Sequence, residues 1–165
     1  MLPAPTPRLR FREMTEADLP DIARLEIGGT RGPEGWIDWT RRNYAEYGFG
    51  LWVVETHQGE FVGDCGLTMQ EVEGEQLLEV GWHVHAPLRR RGYAAEAAAS
   101  VRDSACDAGA EHLVAIIRPD NVASQRVAAK IGLVLEREVH AHDGPALVFG
   151  ADLRAVPGTS ASGGS

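Results

Sequence analysis

Glu79, His83 and His85 stand at alternate positions of Leu77-Leu-Glu-Val-Gly-Trp-His-Val-His85, a segment patterned as a strand. A strand sends successive side chains to opposite faces. The three ionisable groups therefore share one face, while Leu78, Val80, Trp82 and Val84 form an apolar face that belongs in a core. A carboxyl drawn out of water gains proton affinity, which moves it toward the range where a general base works. The plainer role for Glu79 is structural, bonded to a neighbouring strand or loop. Directly afterwards comes Arg89-Arg90-Arg91-Gly92-Tyr93-Ala94. The first N–H groups of a helix lack internal partners and carry positive potential, which suits phosphate. Gly92 lets a diphosphate approach the backbone, and the arginines add charge around it. Three arginines alone would read as a solvated turn. Their place between a strand and a helix of small residues favours the phosphate reading.

Other reactive side chains carry less. His83-x-His85 and His140-x-His142 each put two imidazoles on one strand face, but no third ligand has suitable spacing, so no metal is expected. Cys65 and Cys106 read as packing residues. Trp36, Trp39, Tyr44, Tyr47 and Trp52 read as core, with some free to line a pocket.

The positioning elements follow from periodicity and punctuation. Leu9 and Phe11 begin a first strand. Thr15-Glu-Ala-Asp18 caps a helix running to about Ile27, with Pro20 near its start. A Gly-rich loop (Gly28, Gly29, Gly32, Gly35) precedes an aromatic helix from Trp36 to Tyr47. Strands are expected at 51–55, 60–69 and 77–85, then a helix from the Arg-rich turn to about Gly109. A strand at 112–117, a helix at 121–131 and a closing hairpin of 134–140 and 146–153 complete the order. An antiparallel run followed by βαβ-like crossovers makes an α/β domain.

Composition bounds the rest. A chain of 165 residues fits one domain, taken as 1–156 with a flexible Gly/Ser tail at 157–165. Acidic residues number 24 and basic residues 16, so the net charge of −8 argues against nucleic acid or an anionic membrane as partner and permits a cationic substrate. Two cysteines, no long apolar run and no apolar leader core lead to the expectation of a reduced, cytoplasmic protein.

Arg89-x-x-Gly92-x-Ala94 resembles the Q/R-x-x-G-x-G/A acyl-CoA signature of the GNAT superfamily of N-acetyltransferases. Glu79-Val-Gly-Trp-His-Val84, Pro119-Asp-Asn121-Val-Ala-Ser124 and Lys130-Ile-Gly132-Leu133 extend the similarity in the family's order over about residues 6 to 153. They look most like the branch of ribosomal-protein alanine and polyamine acetyltransferases. The resemblance implies a mixed, splayed sheet of about seven strands flanked by helices, with acetyl-CoA as co-substrate. Its pantetheine arm would lie between the strands ending near His85 and Ile117. Backbone groups at Val84 and His85 would bond that arm. Arg89, Arg90, Arg91, Gly92, Tyr93, Ala94 and Ala95 would surround the diphosphate, and Asn121 would touch the arm.

The implied reaction moves an acetyl group to a primary amine: a protein α-amine, a polyamine or a small amine. An alkylamine has a pKa near ~10.4 and must lose a proton before it attacks. Glu79 is the first candidate base. His140, at the end of a strand bordering the acceptor cleft in similar enzymes, is the second, against the plainer reading of a surface histidine. Ser124 matches a serine near the cofactor sulfur, where it could bond the sulfur or pass it a proton, or else bonds backbone at a helix start. Many family members carry a tyrosine acid seven residues after the asparagine; here that position is Ala128. A sensor or partner module that binds acyl-CoA without turnover is the competing reading. A nucleotide module is weaker, because neither G-x-x-x-x-G-K nor G-x-G-x-x-G is present. A homodimer is an expectation by analogy only.

Overall fold

A computed structural model describes residues 1–141 and 143–155; His142 and the expected tail at 157–165 lie outside the described residues. The strands are β1 (Leu9–Arg12), β2 (Leu51–Thr56), β3 (Phe61–Val72), β4 (Glu75–Val84), β5 (His112–Ile117), β6 (Val134–Ala141) and β7 (Gly144–Asp152). Helices α1 (Leu19–Ala23) and α2 (Gly32–Tyr47) precede β2, α3 (Tyr93–Asp107) joins β4 to β5, and α4 (Val122–Lys130) joins β5 to β6. One sheet has the order β1-β2-β3-β4-β5-β7-β6. Every neighbouring pair is antiparallel except β4 and β5, which run parallel.

The sheet buries side chains on both faces. On one face, the expected apolar side of β4 (Leu78, Val80, Trp82, Val84) packs with Leu113, Ala115 and Ile117 of β5 against Ala97, Ala98, Val101 and Ala105 of α3. Alanines at these positions let the helix lie close to the strands. Val80 is buried, whereas Leu78, Trp82 and Val84 are only half-buried. The other face divides in two. Over β1–β3, α1, the turn after it and α2 bury Ile22, Leu25 and Ile37 on Met14 and Val53. Over β5–β7, the far end of the β3–β4 hairpin brings Val72 and Leu77 against Val114, Val139 and Val148. Arg137 of β6 secures that end through Glu75, 3.0 Å away.

Helix boundaries depart from the sequence expectation for local reasons. The expected first helix is a 3₁₀ turn, Glu16–Asp18, followed by a short α1 that stops at Ala23. Arg24 and Leu25 bond three residues back and Glu26 turns to φ 55°, so the helix unwinds before Ile27. The second helix begins four residues ahead of Trp36, because Pro33 has the fixed φ and missing donor that suit a first turn.

Candidate active site

The parallel pair β4–β5 is where the sheet opens. Their ladder contains a single register pair, Glu79 opposite Val114. Beyond it the β5 amide of Ile116 donates to Glu79 Oε2 at 2.9 Å, so a side chain stands where a neighbouring backbone carbonyl would. Glu79 is thus a wedge at the vertex of a fork. Thr68 Oγ1, across the ladder on β3, donates to its other oxygen at 3.4 Å. Burial pushes the Glu79 carboxyl up to about 7, against the lowering effect of those two bonds and of the nearby His83. The bond to the Ile116 amide is the structural role foreseen for Glu79, and burial gives the same carboxyl a raised proton affinity.

The Arg-rich turn stands at the mouth of the fork. The chain leaves β4 through a 3₁₀ turn, Ala86–Leu88, and enters α3 through Gly92. Arg90 and Gly92 both take left-handed conformations, φ 65° and 81°. Such a conformation is easy for glycine and costs an ordinary residue roughly 1–2 kcal/mol. Glu96 N–H is bonded to Gly92 O at 3.1 Å. The amides of Tyr93, Ala94 and Ala95 ahead of it are the orphan donors of a helix start. Arg89, Arg90 and Arg91 are exposed around them, and Tyr93, Ala94 and Ala95 are half-buried.

An element the sequence analysis missed holds this turn in place. Arg8, just before β1, donates through Nε to Glu96 Oε1 at 2.7 Å and through Nη1 to Arg91 O at 2.9 Å. Its guanidinium also lies 4.5 Å from the centre of the Tyr93 ring. Thr6 Oγ1 bonds Glu96, and Ser100 Oγ donates to Ala4 O at 2.6 Å. Residues 4–8 are thereby laced to the first turns of α3. No spacing rule links positions some ninety residues apart, so sequence inspection had no signal for the clasp.

Of the remaining expected residues, Val84 and His85 border the fork. The Val84 carbonyl accepts from Arg89 Nε at 3.1 Å. His85 N–H is already bonded to Val62 O at 2.8 Å, which leaves the Val84 carbonyl as the better placed of the two to receive an amide from a ligand. Asn121 caps α4, its Oδ1 accepting from Ser124 N–H at 3.1 Å, and Ser124 is half-buried one turn in. His140 is not brought to this place. Val139 packs in the cluster containing Leu77, on the Glu79 face; His140, the next residue, faces the opposite side of the sheet and is exposed. It also lies on β6, separated from β4 by β5 and β7.

A second cluster on the Glu79 face was also missed. Asp64 of β3 sits opposite His83 of β4 in the register, and Asp64 Oδ1 lies 2.7 Å from His83 Nδ1. Trp36 of α2 donates through Nε1 to Asp64 Oδ2 at 2.9 Å. Among the described residues, no group of three His, Cys, Asp or Glu side chains is arranged to hold a metal ion. Among the same described residues, no helix is long and apolar enough to cross a membrane.

A fork beside an Arg-rich helix start is the arrangement that the resemblance to the acyl-CoA signature implies, and comparison with known proteins identifies the family. The acetyltransferase (GNAT) domain family matches residues 8–134. The chain belongs to the GNAT acetyltransferases. It is 32% identical over 158 residues to the Bacillus subtilis protein YkkB, covering 87% of this chain and 92% of that one; YkkB is itself described as uncharacterised. An acetyltransferase of Agrobacterium tumefaciens superposes with a TM-score of 0.78 at 28% identity, over 92% of this GNAT chain and 94% of its own. Mycobacterium smegmatis RimJ, solved with a CoA disulfide, superposes with a TM-score of 0.72 at 21% identity, over 95% of this chain and 87% of its own. The mixed seven-stranded sheet is the GNAT fold of these neighbours.

Proposed function

We propose that this protein transfers the acetyl group of acetyl-CoA to a primary amine, by direct attack with both substrates bound. The observation that carries the proposal is the fork itself: a parallel pair joined at one register pair, with a carboxyl of raised proton affinity at the vertex and unpaired helix-start amides at the mouth. The residues present fit the cofactor. Donors from Arg90 to Ala95 would hold a diphosphate, Arg89 and Arg91 would add charge, and the Val84 carbonyl would receive a pantetheine amide. Asn121 and Ser124 open α4 on the far side of the fork. Acetyl-CoA, when bound, supplies a thioester carbonyl that an amine can attack.

The chain's own contribution is position and proton transfer. Glu79 accepts a proton from the incoming ammonium, directly or through water. The amine nitrogen keeps the electron pair with which it attacks. A carboxyl with a midpoint near 7 is partly ionised at neutral pH, which balances availability against driving force. Holding both reactants in one cleft supplies much of the remaining acceleration without a covalent enzyme intermediate. A cationic acceptor fits the acidic balance of the chain. The motif pattern favours the protein α-amine and polyamine branch.

The test is thiol release from acetyl-CoA with a panel of peptide N-termini, polyamines and small amines, alongside melting with and without CoA. CoA at about 100 times its Kd stabilises by about 2.7 kcal/mol, which corresponds to roughly 5–10 °C in a domain of this size. Stabilisation with no thiol release for any amine would establish a binding module in place of an enzyme. No stabilisation would refute the cofactor assignment.

A further inference from the structure

The Asp64 side chain has 0% exposure, and the His83 side chain beside it has 35%. A buried carboxylate is costly unless its oxygens are bonded, and here both are, to His83 Nδ1 and Trp36 Nε1. Trp36 also meets the imidazole edge-on, 5.6 Å between centres and at 79°. The ring is therefore fixed from two sides. An acceptor oxygen at Nδ1 places the proton there, so the lone pair of the neutral ring is on Nε2. Asp64 holds the Nδ1 edge, so Nε2 lies on the edge turned away from it, in a side chain that is 35% exposed. The same strand face presents Glu79, and Gly81 between them interposes no side chain.

We propose that the Asp64–His83 pair is a second proton-accepting group of the acetyl transfer, with His83 Nε2 as acceptor and Asp64 and Trp36 as positioning residues. This deepens the N-acetyltransferase reading and rests on it. The step is a proton transfer: an N–H bond of the acceptor ammonium breaks, its electron pair stays on the amine nitrogen, and an Nε2–H bond forms. The resulting imidazolium is balanced by Asp64 and later gives the proton to water. The charged groups around His83 are Asp64 from β3, Glu79 from its own strand and Arg89 from the turn after β4, while α2 contributes the uncharged Trp36. Burial by itself disfavours the imidazolium and Arg89 opposes it, but the Asp64 charge and bond, helped by Glu79, raise the net proton affinity above the ordinary histidine value. Activity that depends on neutral His83 therefore falls as pH drops through this raised midpoint.

Two variants and one spectrum test the pair. In the native chain the His83 ring resonance, assigned by its loss in His83→Gln, titrates above the ordinary value of ~6.5. In Asp64→Asn, which keeps an oxygen and removes the charge, that midpoint falls. His83→Gln keeps CoA-induced stabilisation and loses on the order of 10²-fold in kcat/KM. Glu79→Gln retains a residual rate whose acid limb follows the His83 titration, and the double variant loses that limb. Native turnover with an unchanged rate and acid limb in His83→Gln would overturn this proposal alone. So would a His83 midpoint indifferent to Asp64→Asn. A native chain that binds CoA and acetylates no amine would overturn the enzymatic reading and this proposal together.

Discussion

Replacing Glu79 by glutamine should change the pH dependence of stability in a calculable way. In an unfolded chain the carboxyl titrates at its ordinary value of 4.5; in the folded protein burial raises it to about 7. Below 4.5 both states are protonated and the group has no pH effect. Between 4.5 and 7 the unfolded state ionises while the folded state holds its proton, so each pH unit removes about 1.4 kcal/mol of stability. The loss ends above 7, once both are ionised, and totals at most about 3 kcal/mol. Glutamine keeps an oxygen for the Ile116 amide and has no charge to desolvate. The variant should therefore gain on the native chain as pH rises from 5 to 9, by as much as roughly 5–10 °C in Tm, with the gain levelling off near pH 8. Melting both proteins across that range by circular dichroism measures it, with no substrate present. A Tm difference independent of pH would refute the raised proton affinity and, with it, the reading of Glu79 as a base at neutral pH.

Two further substitutions probe the fork and its mouth. Gly92→Glu puts a side chain on a residue at φ 81°, with its Cβ 3.3 Å from an Arg8 nitrogen and its carboxylate among the phosphate donors. CoA affinity measured by titration calorimetry should fall by more than about 100-fold, a change of about 2.7 kcal/mol, and binding within tenfold of native would contradict the turn's role. Gly63→Ala would set a Cβ 1.9 Å from the His83 carbonyl oxygen, a contact that backbone must move to relieve. A loss of about 1–3 kcal/mol is expected, together with a shifted His83 ring resonance. Native stability and an unchanged spectrum would show that β3 does not fix the β4 backbone there.

The order of strands and helices was legible because each carries its own periodicity and stop. Ala97, Ala98, Val101 and Ala105 announce α3, and Gly109 and Gly132 mark chain reversals. The Arg-rich turn was legible because its parts are local: a strand, a glycine and a helix start lie within a few residues. Glu79 could be named from strand alternation, but its bond to the Ile116 amide could not, since that depends on where β5 diverges. Asp64 reads as an unremarked acid in Phe61-Val-Gly-Asp-Cys65; its burial under Trp36 and its bond to His83 exist only after β3, β4 and α2 are assembled. His140 shows the converse. Histidine is a residue type suited to base work, yet face and strand order, which only the folded sheet supplies, take this one away from Glu79.

The lacing of residues 4–8 onto α3 makes the leading segment part of the frame around the Arg-rich turn, the place we propose for the cofactor's diphosphate. Glu96 receives Thr6 and Arg8 while Arg8 also grips the Arg91 carbonyl, so the bend is braced from outside its own loop. An affinity handle or trimmed start that pulls on these residues would loosen the brace and weaken coenzyme capture, though every contact residue along the bend remained intact.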